Sequence, residues 1–419
     1  MHYNRLIGLM VVVNLAVAGV AWRAGWFDPG SPELRHLAAV AQANFVVASL
    51  PRQQWMINAV GWLATRPGHG WPLRVRWVLG KYYHLGGLHV GAALAGSLWY
   101  ATFVGGLVAA YAVGDEQVSG WNVAVSGVIV GVLAAMVAMA LPEQRRLHHD
   151  RFEVSHRIGA WSVLALVWAN TLVLVTATSD GASFGEALVA SPTVWLLGLT
   201  TWFALWPWLL LRRVPVSVEK PSDHVAIAHL AHDTPPAVGT TRPISRHPLI
   251  GWHHFGCVPS VDDRPGYRMA ISRAGDWTSE FIDDPPSHVW VRGLPAVGVA
   301  NVRRLFRRVV FVATGSGIGP ALSHLLESGD DCRLVWITRD PARTYGDGLV
   351  GEILTAQPDA VIWNTDERGK PDVLRLAHGV AVEFGAEAVI CISNKAVTWT
   401  VVEGLEQRGI PAFGPIWDS

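Results

Sequence analysis

Charge is scarce in this chain. Only 16% of its 419 residues are Asp, Glu, Lys or Arg, and the formal net charge is zero. With no basic tract anywhere in the sequence, there is no electrostatic footing for nucleic-acid binding. Cysteine is scarcer still. Cys257, Cys332 and Cys391 are the only three, all in the second half, and their spacing matches neither a metal site nor a disulfide framework. Reduced thiols facing the cytosol are the expectation. No internal repeat and no low-complexity tract is present. The apolar stretch 6–22 lacks a convincing small-residue cleavage site, and more apolar spans follow it. It reads as a retained first helix rather than a secretory leader.

What the chain does have is apolar surface. Hydrophobic residues make up 51% of it, and tryptophan occurs 21 times, often near the ends of expected helices, where indole suits a membrane interface. A window of about 20 residues finds six candidate spans. They lie at 5–25, 34–50, 82–112, 121–141, 153–177 and 192–211. The second has two readings, because Pro51-Arg52-Gln53-Gln54 interrupts it: it stops at 50, with 55–64 along the interface, or it extends to 64. Loop charge sets the orientation. Segment 51–81 carries Arg52, Arg66, Arg74, Arg76 and Lys81 with no acid. The 142–151 loop carries Arg145, Arg146 and Arg151, and Arg212-Arg213 follow the last span, while Asp115, Glu116, Asp180 and Glu186 occupy the alternate loops. The positive-inside rule then predicts a multi-pass protein of the cytoplasmic (inner) membrane with both termini in the cytoplasm.

From about 214 the pattern changes. Residues 214–304 read as short strands broken by Pro, Gly and Asp, a small antiparallel barrel. After 305, apolar strands at 307–313, 332–338, 360–364, 387–392 and 411–414 alternate with helical stretches, the rhythm of a parallel sheet with crossover helices. The expected partition is therefore 1–213 for the helical bundle, 214–304 for the barrel and 305–419 for a Rossmann-like α/β domain.

One motif carries the chemistry of the last domain. The strand Val309-Val310-Phe311-Val312-Ala313 runs into Thr314-Gly315-Ser316-Gly317-Ile318-Gly319-Pro320 and then a helix. Glycines at such a turn let the backbone approach a pyrophosphate, and the free N–H groups of the helix start favour its negative charge. Gly315, Gly317, Gly319 and Pro320 are thus candidate dinucleotide residues.

The order of barrel, strand and Gly-x-Gly-x-Gly-Pro resembles the ferredoxin–NADP reductase superfamily. Two further motifs narrow the resemblance to the ferric reductase and NADPH oxidase family, which places a six-helix membrane domain in front. Trp252-His253-His254-Phe255-Gly256-Cys257-Val258-Pro259-Ser260 is similar to that family's Trp-His-Pro-Phe-Thr flavin strand, and Ala270-Ile271-Ser272-Arg273-Ala274-Gly275-Asp276-Trp277-Thr278 to the strand ending Gly-Asp-Trp-Thr. The resemblance implies FAD contacts from His253, Phe255, Gly256, Trp277 and Thr278. Gly256 stands where the family usually has a hydroxyl near the flavin, and Arg273 sits one position from the family's phosphate-binding arginine. A one-residue shift in a strand reverses the side-chain face.

The resemblance also places the choice of nucleotide at Thr338-Arg339-Asp340-Pro341-Ala342-Arg343. Arg339 and Arg343 suit a 2′-phosphate through charge-assisted bonds, whereas Asp340 suits a ribose hydroxyl; the arginines favour NADPH. It further implies catalytic positions for Cys391, near the nicotinamide, and Trp417, stacked on the flavin. Each has a purely structural alternative, as a buried thiol or a packed indole. In the helical half, the family's third and fifth spans each carry two histidines about four helical turns apart. Here His84 and His156 match the inner pair, but Ser97, Leu98, Ala169 and Asn170 leave the outer pair absent. That pattern argues against a two-heme wire. One heme on His84 and His156, with His89 as a substitute, remains open, as do a quinone-like site and a structural cluster in which Glu153 pairs with Arg157. The expectation is a membrane-bound NAD(P)H oxidoreductase passing electrons through FAD to an unidentified acceptor. A ferric or oxygen reductase acting across the membrane and a non-catalytic flavin sensor are the alternatives.

Overall fold

The computed structural model describes residues 2–177, 183–232, 236–260, 265–327 and 329–415. They form two compact units. One takes in residues 2–53 and 84–205, the other 54–83 together with 206–415.

The first unit is helical throughout. Its long elements are His2–Arg23, Leu34–Ser49, Gly86–Ala112, Gly120–Ala140 and His149–Ala177, followed by a short helix Phe184–Ala190 and by Pro192–Leu209, whose last turn from Trp206 on belongs to the second unit. These helices are apolar on all sides, so what aligns them is small residues and buried amides rather than one hydrophobic stripe. Asn14 and Asn44 exchange side-chain hydrogen bonds of 3.1 and 2.9 Å, and the Trp99 indole donates to Asn14 Oδ1 at 2.9 Å. Asn122 donates to Asn170 Oδ1, and Asn170 in turn donates to Ser126 Oγ, both at 3.0 Å. Ser119 caps the helix that begins at Gly120, in a reciprocal box with Asn122. Gly91 is held against Met10 and Gly96 against Phe45, where an added Cβ would come within 2.8 and 2.9 Å.

The six expected spans are only partly realised. Among the described residues, four helices are long and apolar enough to cross a membrane, or five if Phe184–Ala190 and Pro192–Leu209, bent by 76°, count as one broken span. The expected span at 34–50 is a helix of 16 residues, shorter than the ~20 residues a bilayer core requires.

In the second unit, eight strands form an antiparallel, barrel-like sheet. They are β1 (Arg212–Glu219), β2 (Val225–Leu230), β3 (Thr240–Ser245), β4 (His253–Gly256), β5 (Val258–Pro259), β6 (Tyr267–Ser272), β7 (His288–Val291) and β8 (Ala296–Val297). Their order is β4-β3-β7-β1-β2-β6-β5, with β8 on β3. Val214 and Val216 point inward from β1 while Pro215 and Ser217 face out, the period-two pattern of a sheet with one covered face. Tyr267, Met269 and Ile271 of β6 fill the interior with Leu230, Ile244 and Phe281.

Five parallel strands follow: β9 (Val309–Thr314), β10 (Cys332–Thr338), β11 (Val361–Asn364), β12 (Ala388–Ile392) and β13 (Ala412–Phe413). Each overlaps a strand expected from the sequence. The order β11-β10-β9-β12-β13 means the chain leaves β9 in one direction and returns on its other side. That reversal opens a crevice at the carboxyl ends of β9 and β12, the usual ligand position in such sheets.

Residues 54–83, which the expected partition placed with the membrane helices, belong instead to the two-sheet unit. The Asn58 amide accepts from Val297 N at 2.9 Å and donates to Pro295 O at 2.8 Å, so it serves the open edge of β8 as a short strand would. Gln54 Oε1 accepts from Leu294 N at 2.6 Å. The helix Leu73–Leu79 lies on the parallel sheet. Arg76 bonds Glu387 through both guanidinium nitrogens, at 2.7 and 3.3 Å, and also donates to the carbonyls of Leu305 and Trp71. Lys81 pairs with Glu406 at 2.5 Å and donates to Ala412 O at 2.7 Å. Gly80 has no side chain because Phe413 occupies the space, 2.6 Å from where a Cβ would be.

Candidate functional site

The glycine turn is fixed by groups that no motif reveals. Gly315, at φ +49°, uses a left-handed conformation that favours glycine. Its carbonyl accepts from the Trp336 indole at 3.0 Å. At Gly317 an added Cβ would fall 2.0 Å from Ile392 O, so the turn is pressed onto the end of β12. Beside it, the hydroxyls of Thr314 and Ser393 meet at 2.5 Å, tying the end of β9 to the end of β12. The outer side of Gly315 is open by contrast. A Cβ there would meet nothing nearer than the Tyr345 hydroxyl at 3.8 Å. A turn closed underneath, open above and followed by the helix Ile318–Glu327 is shaped to receive an anion at the helix start.

Across from this turn stands the barrel. Gly256, last residue of β4, would place a Cβ 2.8 Å from Pro320 Cα and 3.0 Å from both Gly319 O and Pro320 N. Backbone meets backbone here. This is why glycine occupies the position at which the family resemblance expects a hydroxyl. The expected dinucleotide residues Gly315, Gly317, Gly319 and Pro320 are thereby brought beside the expected flavin strand. Other contacts close the same seam: Gly239 N donates to Ser323 Oγ at 3.1 Å, Ser222 Oγ donates to Thr344 O at 2.7 Å, and Arg268 pairs with Glu352.

His253, Phe255 and Trp277 also come together. The Trp277 ring lies 4.5 Å from His253 and 5.8 Å from Phe255, with Phe281 behind it at 5.3 Å. All three of the expected contact side chains are partly exposed, so the stack is an aromatic platform beside Gly256. The local structure differs from expectation in one respect. Gly-Asp-Trp-Thr does not end a strand; β6 stops at Ser272, and Asp276–Asp283 is a helix. Thr278 Oγ accepts from the amides of Ala274 at 2.8 Å and Gly275 at 3.1 Å, folding the entry to that helix. Arg273 is committed elsewhere. Its guanidinium holds both oxygens of Asp283 at 2.9 and 2.6 Å, which raises its own pKa and lowers that of the carboxyl chiefly through these hydrogen bonds.

The nucleotide-choice residues sit at the end of β10. Since Ile337 pairs with Thr314, Arg339 lies one strand over from the glycine turn. Asp340 is occupied as the cap of the helix Pro341–Tyr345, accepting from Arg343 N at 3.2 Å. Arg339 and Arg343 are exposed.

Cys391 does not open onto the crevice. Its thiol is buried with Val310, Val312 and Val401 in the apolar layer beneath the sheet, and burial pushes its pKa up to about 12. A structural thiol fits that place; a proton donor for the crevice does not. Trp417 lies outside the described residues. In the helical unit, the His156 ring packs against His89 at 6.3 Å and Phe152 at 5.3 Å, while His84 packs against His2 at 5.9 Å. The imidazole that the structure sets beside His156 is therefore His89, the substitute rather than the expected partner. Among the described residues, no three His, Cys, Asp or Glu side chains are grouped to hold a metal ion.

Residues 299–419 match the family model described as the C-terminal domain of adenylate-forming reductase 03009. Two proteins of Coprinopsis cinerea, adenylate-forming reductases 03009 and 06235, are 39% and 38% identical over 418 residues. The match spans all of this chain and 40% of each relative. Among solved structures, phthalate dioxygenase reductase, described as moving electrons from pyridine nucleotides to a 2Fe-2S centre, is 21% identical with a TM-score of 0.39, over 49% of this chain and 67% of that one. A ferredoxin–NADP+ reductase from Neisseria gonorrhoeae with bound FAD and NADP is 12% identical with a TM-score of 0.40, over 49% and 98%. Scores this low add nothing to what the strand order says.

Proposed function

We propose that this chain is a membrane-bound oxidoreductase that takes electrons from NAD(P)H through FAD to an acceptor at or in the membrane. The observation that carries the reading is the contact of Gly256 with Gly319 and Pro320. There the antiparallel sheet, with its partly exposed aromatic platform, meets the helix start beyond the open glycine turn backbone against backbone. A nicotinamide held by that turn would have its ring directed at whatever rests on the platform.

The residues present fit both groups. Gly315 leaves an open cradle of backbone at the helix start for a pyrophosphate, and Gly317 keeps the turn low enough for it to enter. Arg339 and Arg343 offer two exposed cations to a 2′-phosphate, while Asp340 is engaged as a cap; NADPH is the better match. His253, Phe255 and Trp277 would flank a flavin ring, and Gly256 sets its distance from the turn. When bound, FAD supplies the capacity to accept a hydride and release its electrons singly. The protein's share is to orient the two rings and to exclude water between them. The name of the Coprinopsis relatives, reductases, agrees with this class of chemistry.

The acceptor belongs to the helical unit in this reading, and the cytoplasmic membrane is its proposed location. The histidines of that unit would hold a single heme. Its most economical ligand pair is His89 with His156, because His89 Nδ1 bonds Ala48 O at 2.8 Å, which fixes the ring and leaves Nε2 for a metal. The test is a spectrum of the detergent-purified chain followed by NADPH addition under nitrogen. Bleaching of a flavin envelope supports the reading, and a Soret band lost in His89→Ala and His156→Ala supports the heme. A colourless protein that takes up no FAD ends the proposal. A flavoprotein that NAD(P)H cannot reduce would instead be the non-catalytic sensor, the alternative kept in view by the missing hydroxyl at Gly256.

A further inference from the structure

The β3–β4 loop, residues 246–252, carries a feature that electron transfer does not use. Leu249 and Ile250 are 61% and 52% exposed, and among the described residues between 210 and 353 they are the only large apolar side chains so exposed. A barrel that buries its other large apolar groups while presenting two adjacent ones has a surface that water does not favour. The loop is built to hold them out. Ser245 Oγ accepts from His247 N at 3.0 Å and donates to Ile250 O at 2.5 Å, His247 Nδ1 accepts from Leu249 N at 3.2 Å, and Gly251 turns the chain at φ +67°.

Two residues later the same loop reaches the end of an apolar helix. Trp252 meets Trp208 edge-on at 6.0 Å, and the Arg292 guanidinium sits over both indoles, 4.3 Å from Trp252 and 4.7 Å from Trp208. Trp208 belongs to the last turn of Pro192–Leu209, where Leu209 is also exposed and Arg212 and Arg213 follow. Tryptophan, arginine and exposed leucine in succession are the composition of a membrane–water boundary. Arg246 pairs with both Glu280 and Asp284, each at 2.8 Å, which offsets part of the nearby acidic charge.

We propose that the β3–β4 loop is a lipid-contacting wedge: Leu249 and Ile250 enter the headgroup–acyl boundary of the bilayer into which the helix Pro192–Leu209 runs. The partner is the lipid surface, and the attraction is apolar burial rather than headgroup charge. The inference rests on the membrane reading above and adds to it a second, reversible anchor that lies on the barrel itself.

The three native cysteines are buried, so a single introduced cysteine can be labelled selectively. Leu249→Cys carries a small environment-sensitive fluorophore in full chain reconstituted in phosphatidylcholine nanodiscs. Leu98→Cys, on the exposed face of Gly86–Ala112, is the membrane reference, and Val382→Cys, exposed on a helix of the α/β domain, is the aqueous one. Doxyl groups placed shallow in the acyl chain should quench the label at 249 at least about twofold more than that at 382, unaffected by added salt. Quenching at 98 with none at 249 would overturn the wedge and leave the membrane reading standing. Quenching at neither position would sink both. Shielding at 249 that grows with protein concentration, without doxyl quenching, would assign the patch to contact between copies and also overturn the proposal.

Discussion

Replacing Gly256 by serine restores the hydroxyl that the family resemblance expects, and the structure says the protein should be worse for it. The added Cβ would stand 2.8 Å from Pro320 Cα and 3.0 Å from Gly319 O and Pro320 N. These are backbone atoms at the start of a helix, not the far end of a flexible side chain. They lie several tenths of an ångström inside ordinary contact, so the seam between the sheets must open. Overpacking of this kind costs about 1–3 kcal/mol. For a unit of roughly 240 residues that is a fall in melting temperature of about 2–12 °C. The functional loss should exceed the stability loss, because a displacement approaching 1 Å between reacting groups can cost about 100-fold in rate. The assay is NADPH-driven reduction of a dye by purified full-length chain, with flavin content and thermal unfolding measured on the same sample. Gly256→Ala is the control without a hydroxyl and should behave alike. A serine variant that keeps its flavin, melts with the wild type and turns over as fast or faster would refute the close contact on which the site is built.

Three further outcomes follow from the same geometry. Arg339→Ala with Arg343→Ala should weaken NADPH binding about 10–100-fold, the loss of one or two charge-assisted bonds, and leave NADH nearly unchanged; equal weakening of both, by titration calorimetry, would remove the arginines from the 2′-phosphate. Arg76→Ala should cost about 2 kcal/mol, below the range for a fully buried pair because the Glu387 side chain is still 26% exposed, read as an earlier thermal transition. Burial pushes the Glu387 carboxyl up, but the hydrogen bonds from Arg76 and from Arg307 N outweigh it and hold its pKa below the usual value. Its contribution is therefore present above the unfolded pKa of about 4.3 and lost as pH falls below it, so Arg76→Ala should flatten the acid leg of the stability profile there. Cys391 should not react with a thiol reagent near neutral pH until the protein unfolds, since its pKa lies at about 12; rapid modification of the native chain, sensitive to NADPH, would put the thiol in the crevice after all.

Local signals were readable from the chain alone. The glycines after β9 and the β-branched runs of the parallel strands have short-range causes: a turn that needs a positive φ at Gly315, and strands covered on both faces. The aromatic platform was legible only as a resemblance, since nothing in the spacing of His253, Phe255 and Trp277 says that their rings converge. The segment 54–83 was grouped with the apolar helices because it lies between expected spans. Its place in the two-sheet unit depends on Arg76 and Lys81 facing Glu387 and Glu406, and partners more than three hundred positions away leave no mark on a local charge count. Trp336 and Ser393, which lock the glycine turn, were missed for the same cause: an indole in a buried strand and a serine after another look like ordinary packing.

The sequence by itself determined the alternation of elements, the position of the anion-ready turn and the concentration of apolar helices in the first half. Those depend on backbone preference and hydrophobic period, which act over a few residues. Tertiary structure alone decided that Gly256 must lack a side chain, that Arg273 serves Asp283 and that Cys391 is sealed in the core. It also drew residues 54–83 out of the helical half. Each of these turns on which atoms occupy the same few ångströms after the chain has closed, and on charges that find their partners only once it has folded.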